Sequence, residues 1–338
     1  MQHLDLQVIE RALKWANQGR TIWLCTVLKT FGSAPREPGA MLVACSTGDY
    51  LGSLSGGCVE EDFIARLQAG EFNEPVQRVH YGGGGGGGGD GDGDGDGDGD
   101  AGSANIRLPC GGSLEVLIER LAPNTANLTH LEVVHATLLG RQPLTRCIKL
   151  DGSGKRFNPS KNTEPTVIVD TASVNIRIGP ALRLIIAGIS SISSPCALFA
   201  QTLGFEVIVC DPRDEARRNF AVAGVEVQAV LPSVFISSGG CHANTAVVAL
   251  THDPRIDDLA MIEAVRTEAF YIGVMGSQQT SQQRAERLLR SGGLTSAQVA
   301  RIHMPIGLNL GSKTPAEIAL AVMADIHRIY RGKTRHEL

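Results

Sequence analysis

The chain has 338 residues, 43% of them hydrophobic and only 4% aromatic, with a formal net charge of −4 at pH 7. That length fits two domains better than one. A mildly acidic, aromatic-poor chain excludes nucleic acid and anionic membranes as expected partners, because both call for a basic surface.

Residues Met1 to Gln7 have neither a basic start nor a continuous apolar core, so a cytoplasmic chain without a secretory leader is expected. No apolar run is long enough to predict a membrane span. Residues 6–18 read as an amphipathic helix ending at Gly19, with Leu6, Ile9 and Leu13 on one face. Thr21 to Leu28 reads as a buried strand. A rigid loop with two prolines follows, Gly32 to Gly39. Met41 to Cys45 and Tyr50 to Leu54 read as strands around a Gly48-Asp49 turn, and Val59 to Ala69 as a helix stopped by Gly70.

From Gly82 the composition changes. Eight consecutive glycines lead into Gly-Asp alternation as far as Asp100. This low-complexity segment, 82–100, cannot bury a core and reads as a linker. It lacks the apolar residue that each calcium-binding Gly/Asp repeat carries. Ser113 to Leu121 resumes as a strand, and residues 130–175 read as further strand-like runs with glycine turns.

The pattern then becomes alternating strand and helix. Leu184 to Ala187 is a strand, Gly188 a turn and Pro195 to Leu203 a helix. Phe205 to Cys210, Ala246 to Leu250 and Tyr271 to Val274 are strands. The last helix opens on Thr314-Pro315-Ala316-Glu317, a capping box with proline at its first position. The expected fold class is therefore α/β: an N-terminal α+β module over 1–180, then a Rossmann-like parallel-sheet domain over 181–338.

Eight cysteines are scattered without a C-x-x-C pair, which predicts free thiols and no disulfide framework. Cys25, Cys196 and Cys210 sit in apolar runs and read as structural. Two others stand beside glycine pairs: Gly56-Gly57-Cys58 and Cys110-Gly111-Gly112. Glycine pairs let the backbone turn tightly and approach a ligand. Cys58 also precedes a helix, whose amides lower a thiol's pKa, although Glu60, Glu61 and Asp62 oppose this. Structural turns carrying a small residue remain the plain alternative. Arg36, between prolines, suits an anionic group.

In the second half, Gly188 followed by Asp211 has the spacing of a dinucleotide fingerprint, but Ser190 stands where the middle glycine belongs. His252 and Ser277 follow strands, where open α/β sheets bind ligands. Together with Gly188 and Asp211 they outline one crevice.

As an ordered set these blocks resemble the xanthine dehydrogenase accessory protein family, XdhC/CoxI. The resemblance rests on Gly32 to Met41, Gly52 to Glu60, Leu108 to Gly112, Thr251 to Pro254, Gly273 to Ser277 and Ile302 to Ile318. It implies a cytoplasmic maturation chaperone, not an enzyme. Such a protein binds molybdenum cofactor, as molybdopterin or its cytosine dinucleotide, and delivers it to a molybdenum hydroxylase apoenzyme. The resemblance further implies a homodimer and cofactor sulfuration by a cysteine desulfurase. Cys110 is the first expected molybdenum ligand and Cys58 the second. The family's phosphate turn reads Gly-Ala-Gly-His-Val, whereas this chain has Gly188-Ile189-Ser190-Ser191-Ile192. Two other readings stand beside this one. An NAD(P)-dependent oxidoreductase would use His252 as proton donor, and Ser190 counts against it. A degenerate nucleotide-sensing module would have purely structural cysteines.

Overall fold

The computed structural model describes residues 4–31, 36–82, 112–140, 142–161 and 164–334. The chain divides into two compact units, Leu4–Gly179 and Pro180–Leu338.

In the first unit, helix α1 (Leu4–Asn17) leads into strands β1 (Ile22–Phe31), β2 (Met41–Cys45) and β3 (Tyr50–Gly52), then helix α2 (Cys58–Gln68). Strands β4 (Val76–Tyr81) and β5 (Ser113–Leu121) complete a five-stranded antiparallel sheet of order β3-β2-β1-β5-β4. Both faces of this sheet are covered. On one face Leu24, Val43, Leu117 and Leu121 meet α1 and helix α3 (Thr125–Leu139). On the other, Cys25, Leu42, Val116 and Ile118 meet Val59, Phe63 and Leu67 of α2. Strand side chains alternate in direction, so a strand buried on both faces reads as the continuous apolar run seen from Ile22 to Leu28.

A second antiparallel sheet, of order β7-β6-β9-β8, comprises β6 (Leu144–Lys149), β7 (Lys155–Pro159), β8 (Val167–Val169) and β9 (Ser173–Ile178). Its Ile148, Val174 and Ile176 join the core under α1 and α3. Residues 130–139, expected as a strand-like run, belong instead to α3. Asn124 caps that helix, its side chain accepting from the Asn127 amide at 2.9 Å.

The second unit is a six-stranded parallel sheet of order β12-β11-β10-β13-β14-β15. Its elements are β10 (Arg183–Ala187), α4 (Ser193–Thr202), β11 (Glu206–Cys210), α5 (Asp214–Arg218), β12 (Glu226–Gln228), α6 (Pro232–Phe235), β13 (Thr245–Ala249), α7 (Pro254–Ala264), β14 (Tyr271–Val274), α8 (Gln278–Arg290), α9 (Ser296–Ala300), β15 (Ile302–His303) and α10 (Pro315–Tyr330). The order reverses between β10 and β13, as in the dinucleotide-binding doubly wound fold, and such sheets hold ligands beyond the strand C-termini at that reversal. One sheet face packs on Cys196, Ala200, Val322 and Ile326 of α4 and α10. The other packs on Ala260, Ala264 and Leu288 of α7 and α8. The capping box forms: Glu317 N donates to Thr314 Oγ1 at 3.3 Å, and Thr314 N to Glu317 Oε2 at 2.9 Å. Among the described residues no helix is long and apolar enough to cross a membrane.

Candidate functional site

Antiparallel pairing gathers the N-terminal motifs at one end of the five-stranded sheet. Thr26 pairs with Met41, Phe31 with Ser113, Leu42 with Gly52 and Tyr81 with Leu114. The ends of β1, β3 and β4 and the starts of β2 and β5 therefore lie together. The turns leaving this end carry Arg36, the Ser53–Gly57 segment with Cys58, and the chain that enters β5 at Gly112. Gly82 touches Gly112 closely: a Cβ on Gly82 would lie 2.4 Å from the Gly112 carbonyl oxygen. Cys110 and Gly111 lie outside the described residues, as do positions 32–35. Cys58 is the first residue of α2.

The Ser53–Gly57 turn is wrapped around one carboxylate. Glu60 Oε1 accepts from Ser53 Oγ at 2.9 Å, Leu54 N at 2.8 Å, Ser55 N at 3.0 Å and Gly56 N at 3.1 Å. Its Oε2 accepts from Ser55 Oγ at 2.7 Å and Gly57 N at 3.0 Å. Gly56 and Gly57 have φ of 90° and 148°, backbone that favours glycine. Burial pushes the Glu60 carboxyl up, but the bonds from Ser55 and Leu54 outweigh it and hold the group at about 2. The glycine pair thus turns its amides inward onto Glu60, and Cys58 follows directly. Sequence reading passed over Glu60 as a mere acidic neighbour. The signal available was the acid three residues after Gly57, the reach of a capping-box acid.

Basic side chains gather at the same sheet end. Arg78 holds the buried Glu115 through Nε and Nη2, each 2.6 Å from Oε1. Lys29 Nζ stands 3.9 Å from Glu115 Oε2, and His80 Nε2 3.8 Å from Oε1. Arg36 is half-buried, and its Nε meets no hydrogen-bond partner among the described residues. Lys29, Arg78 and His80 went unnoticed in the sequence because their shared carboxylate lies on another strand.

The structural thiols are where apolar context places them. Cys25, Cys196 and Cys210 are buried and free. Burial pushes Cys196 and Cys210 up to about 12, and Cys25 upward too. Such thiols stay protonated and inert. Among the described residues no group of three or more His, Cys, Asp or Glu side chains could hold a metal.

In the C-terminal unit, Gly188, Asp211, His252 and Ser277 all follow strand C-termini, so the structure brings them to one edge of the parallel sheet. Each is engaged by the chain itself. Gly188 has φ 82°, and a Cβ there would lie 2.1 Å from Thr251 Cγ2. Ser277 Oγ caps α8, accepting from Thr280 N at 3.1 Å. His252 takes an unusual φ of 66° for a residue with a side chain. Beside it, Thr251 Oγ1 donates to the buried Asp257 Oδ1 at 2.6 Å. Asp211 is fully buried and bound by Arg213 and the Ile189 amide. Burial raises its carboxyl, but the Arg213 and Ile189 bonds outweigh it and lower the net value.

Comparison with known proteins agrees with this architecture. Residues 15–82 match the XdhC and CoxI family, and residues 184–326 match the XdhC Rossmann domain. A Bacillus subtilis protein, named as a probable subunit of xanthine dehydrogenase, is 28% identical over 324 residues, covering 90% of this chain and 91% of its own. The Escherichia coli molybdenum cofactor insertion chaperone PaoD is 25% identical, covering 94% and 86%. A crystal structure described as a xanthine dehydrogenase from Bacillus halodurans superposes with a TM-score of 0.71 at 22% identity, over 99% of this chain and 97% of that one.

Proposed function

This chain belongs to the XdhC and CoxI family, and from that premise we propose that it is a maturation chaperone, not an enzyme, which carries molybdenum cofactor as cargo to a molybdenum hydroxylase apoenzyme. The observation that supports this reading is that the described parts of three motif segments, Arg36, Ser53–Gly57 and Gly112, leave or enter the same end of the five-stranded sheet. Relatives along nearly the whole chain include a named molybdenum cofactor insertion chaperone and a protein named for xanthine dehydrogenase.

Thiolates are soft ligands suited to a metal already bound by the sulfurs of a pterin dithiolene. In this reading Cys110 is the first thiolate and Cys58 the second. Gly56, Gly57, Gly111 and Gly112 let the backbone approach the cargo. Arg36 holds an anionic group, a role supported by its Nε, which meets no partner among the described residues. Gly188, Ser190, Asp211, His252 and Ser277 form a separate surface for a phosphate-bearing ligand. The finer parts of the proposal are a homodimer in the cytoplasm and a cysteine desulfurase that sulfurates the cargo while it is carried.

Anaerobic binding of molybdenum cofactor to the purified chain, beside Cys110→Ser and with NAD in parallel, tests the reading. Tight cofactor binding that weakens in the variant is expected. NAD binding without cofactor binding would overturn it in favour of an oxidoreductase.

A further inference from the structure

A dinucleotide-binding turn works by leaving donors and acceptors open. Its amides and those of the following helix face the pyrophosphate, and an acid at the end of the next strand accepts from the ribose. Here the chain closes nearly every one of these groups on itself. Ile189 N donates to Asp211 Oδ2 at 2.6 Å. Ser190 N donates to Ser193 Oγ at 3.0 Å, and Ile192 N to Ser190 Oγ at 3.2 Å. Ser193 N donates to the Ser190 carbonyl at 3.1 Å, while Ser193 Oγ donates to the Gly188 carbonyl at 3.2 Å. In the first turn of α4, Pro195 has no amide proton at all.

The acid is equally occupied. Asp211 Oδ1 accepts from Arg213 N at 2.8 Å and Arg213 Nε at 3.0 Å. Oδ2 accepts from Ile189 N and Arg213 Nη2, both at 2.6 Å. A carboxylate offers about four lone-pair positions, so these four donors fill it. The same Arg213 Nη2 also reaches the Ile189 carbonyl at 2.9 Å, which ties the turn to the end of β11.

We propose that Ser190, Ser193 and Arg213 are specificity-determining residues that close this crevice to the pyrophosphate and ribose of dinucleotides. A dinucleotide would have to break bonds that the turn already makes, with no new donor gained in exchange. Replacing Ser190 with glycine and Ser193 with alanine removes both hydroxyl plugs and returns the Ser190 and Ile192 amides to a ligand.

The test is calorimetric titration of the full chain with CDP and with NAD, for the native protein, Ser190→Gly/Ser193→Ala and Ser190→Gly alone, with circular dichroism to establish folding. The native chain is expected to bind both probes at least about tenfold more weakly than a folded variant does. Equal binding by the native chain and a folded variant would overturn the proposal. If the double variant does not fold, the single variant decides on the same criterion.

Discussion

Arg146 donates its Nε proton to Nε2 of His130 across 3.0 Å inside the first unit. An imidazole that accepts at Nε2 is neutral there, since imidazolium has no acceptor. His130 also stacks on Phe157, with ring centroids 4.7 Å apart. Burial, reinforced by the Arg146 charge, pushes the His130 ring down to about 3 against the opposing pull of Glu119. Glu119 itself is buried between Arg146 and Lys155. Burial raises its carboxyl, but those cations dominate and hold it at about 2.

Stability of the chain is therefore expected to fall as pH drops below about 6.5, the ordinary histidine value, because the unfolded state then takes up a proton that folded His130 refuses. Below about 4.5 the loss steepens, as Glu60 and Glu119 protonate in the unfolded chain before they do in the folded one. Urea melts between pH 7 and pH 4.5 would show the slope. His130→Gln keeps an acceptor for Arg146 without a titrating ring and should flatten it. An unchanged slope in that variant would sink the assignment to His130.

Glu60 should be the most costly single residue of the glycine turn. Glu60→Gln replaces one acceptor oxygen with a donor facing donors, and is expected to cost about 2 kcal/mol through lost charge-assisted bonds and stranded amides. The loss should appear as a lower urea midpoint in Glu60→Gln than in the native chain at pH 7. An unchanged midpoint in the variant would contradict it.

Gly188 is held by sterics and backbone together. An added Cβ would lie 2.1 Å from Thr251 Cγ2 and 3.1 Å from Ile256 Cγ2, at a φ of 82°. Gly188→Ala should destabilise the C-terminal unit by about 2–5 kcal/mol, summing the left-handed backbone penalty and overpacking. Thermal denaturation measures the loss. Thr251→Ser in the same chain removes the clashing methyl and should recover part of it.

Much of this architecture was legible because local chemistry declared it. The apolar run of β1, the Thr314–Glu317 capping box and the strand-Gly188-helix passage each hold their cause within a few residues. Helix α3 was misread for a physical reason. Its buried stripe, His130, Leu131, Val134, Thr137 and Leu138, has helical spacing, but two of the five are polar and conceal it. The buried carboxylates were out of reach altogether. Glu119 meets Arg146 across 27 positions and Glu115 meets Arg78 across 37, and no local pattern announces such pairs. The self-closure of the Gly188 turn was half legible: Ser190 marked the missing glycine, but only the fold shows Ser193 and Asp211 turned onto its amides.

Arg36 separates function from stability. Its buried Nε meets no hydrogen-bond partner among the described residues. Arg36→Ala removes a buried, unpartnered N–H and should therefore leave the unfolding free energy within about 0.5 kcal/mol of the native chain's. It should weaken binding of the cofactor by about tenfold or more, the scale of one lost hydrogen bond to a charged group. Arg36→Lys keeps the charge but loses the planar fork, so it should fall between the two. Cofactor titration beside thermal melts reads both effects in one series. A variant that unfolds early while its folded fraction binds normally would place Arg36 in the architecture of the loop and remove it from the cargo site.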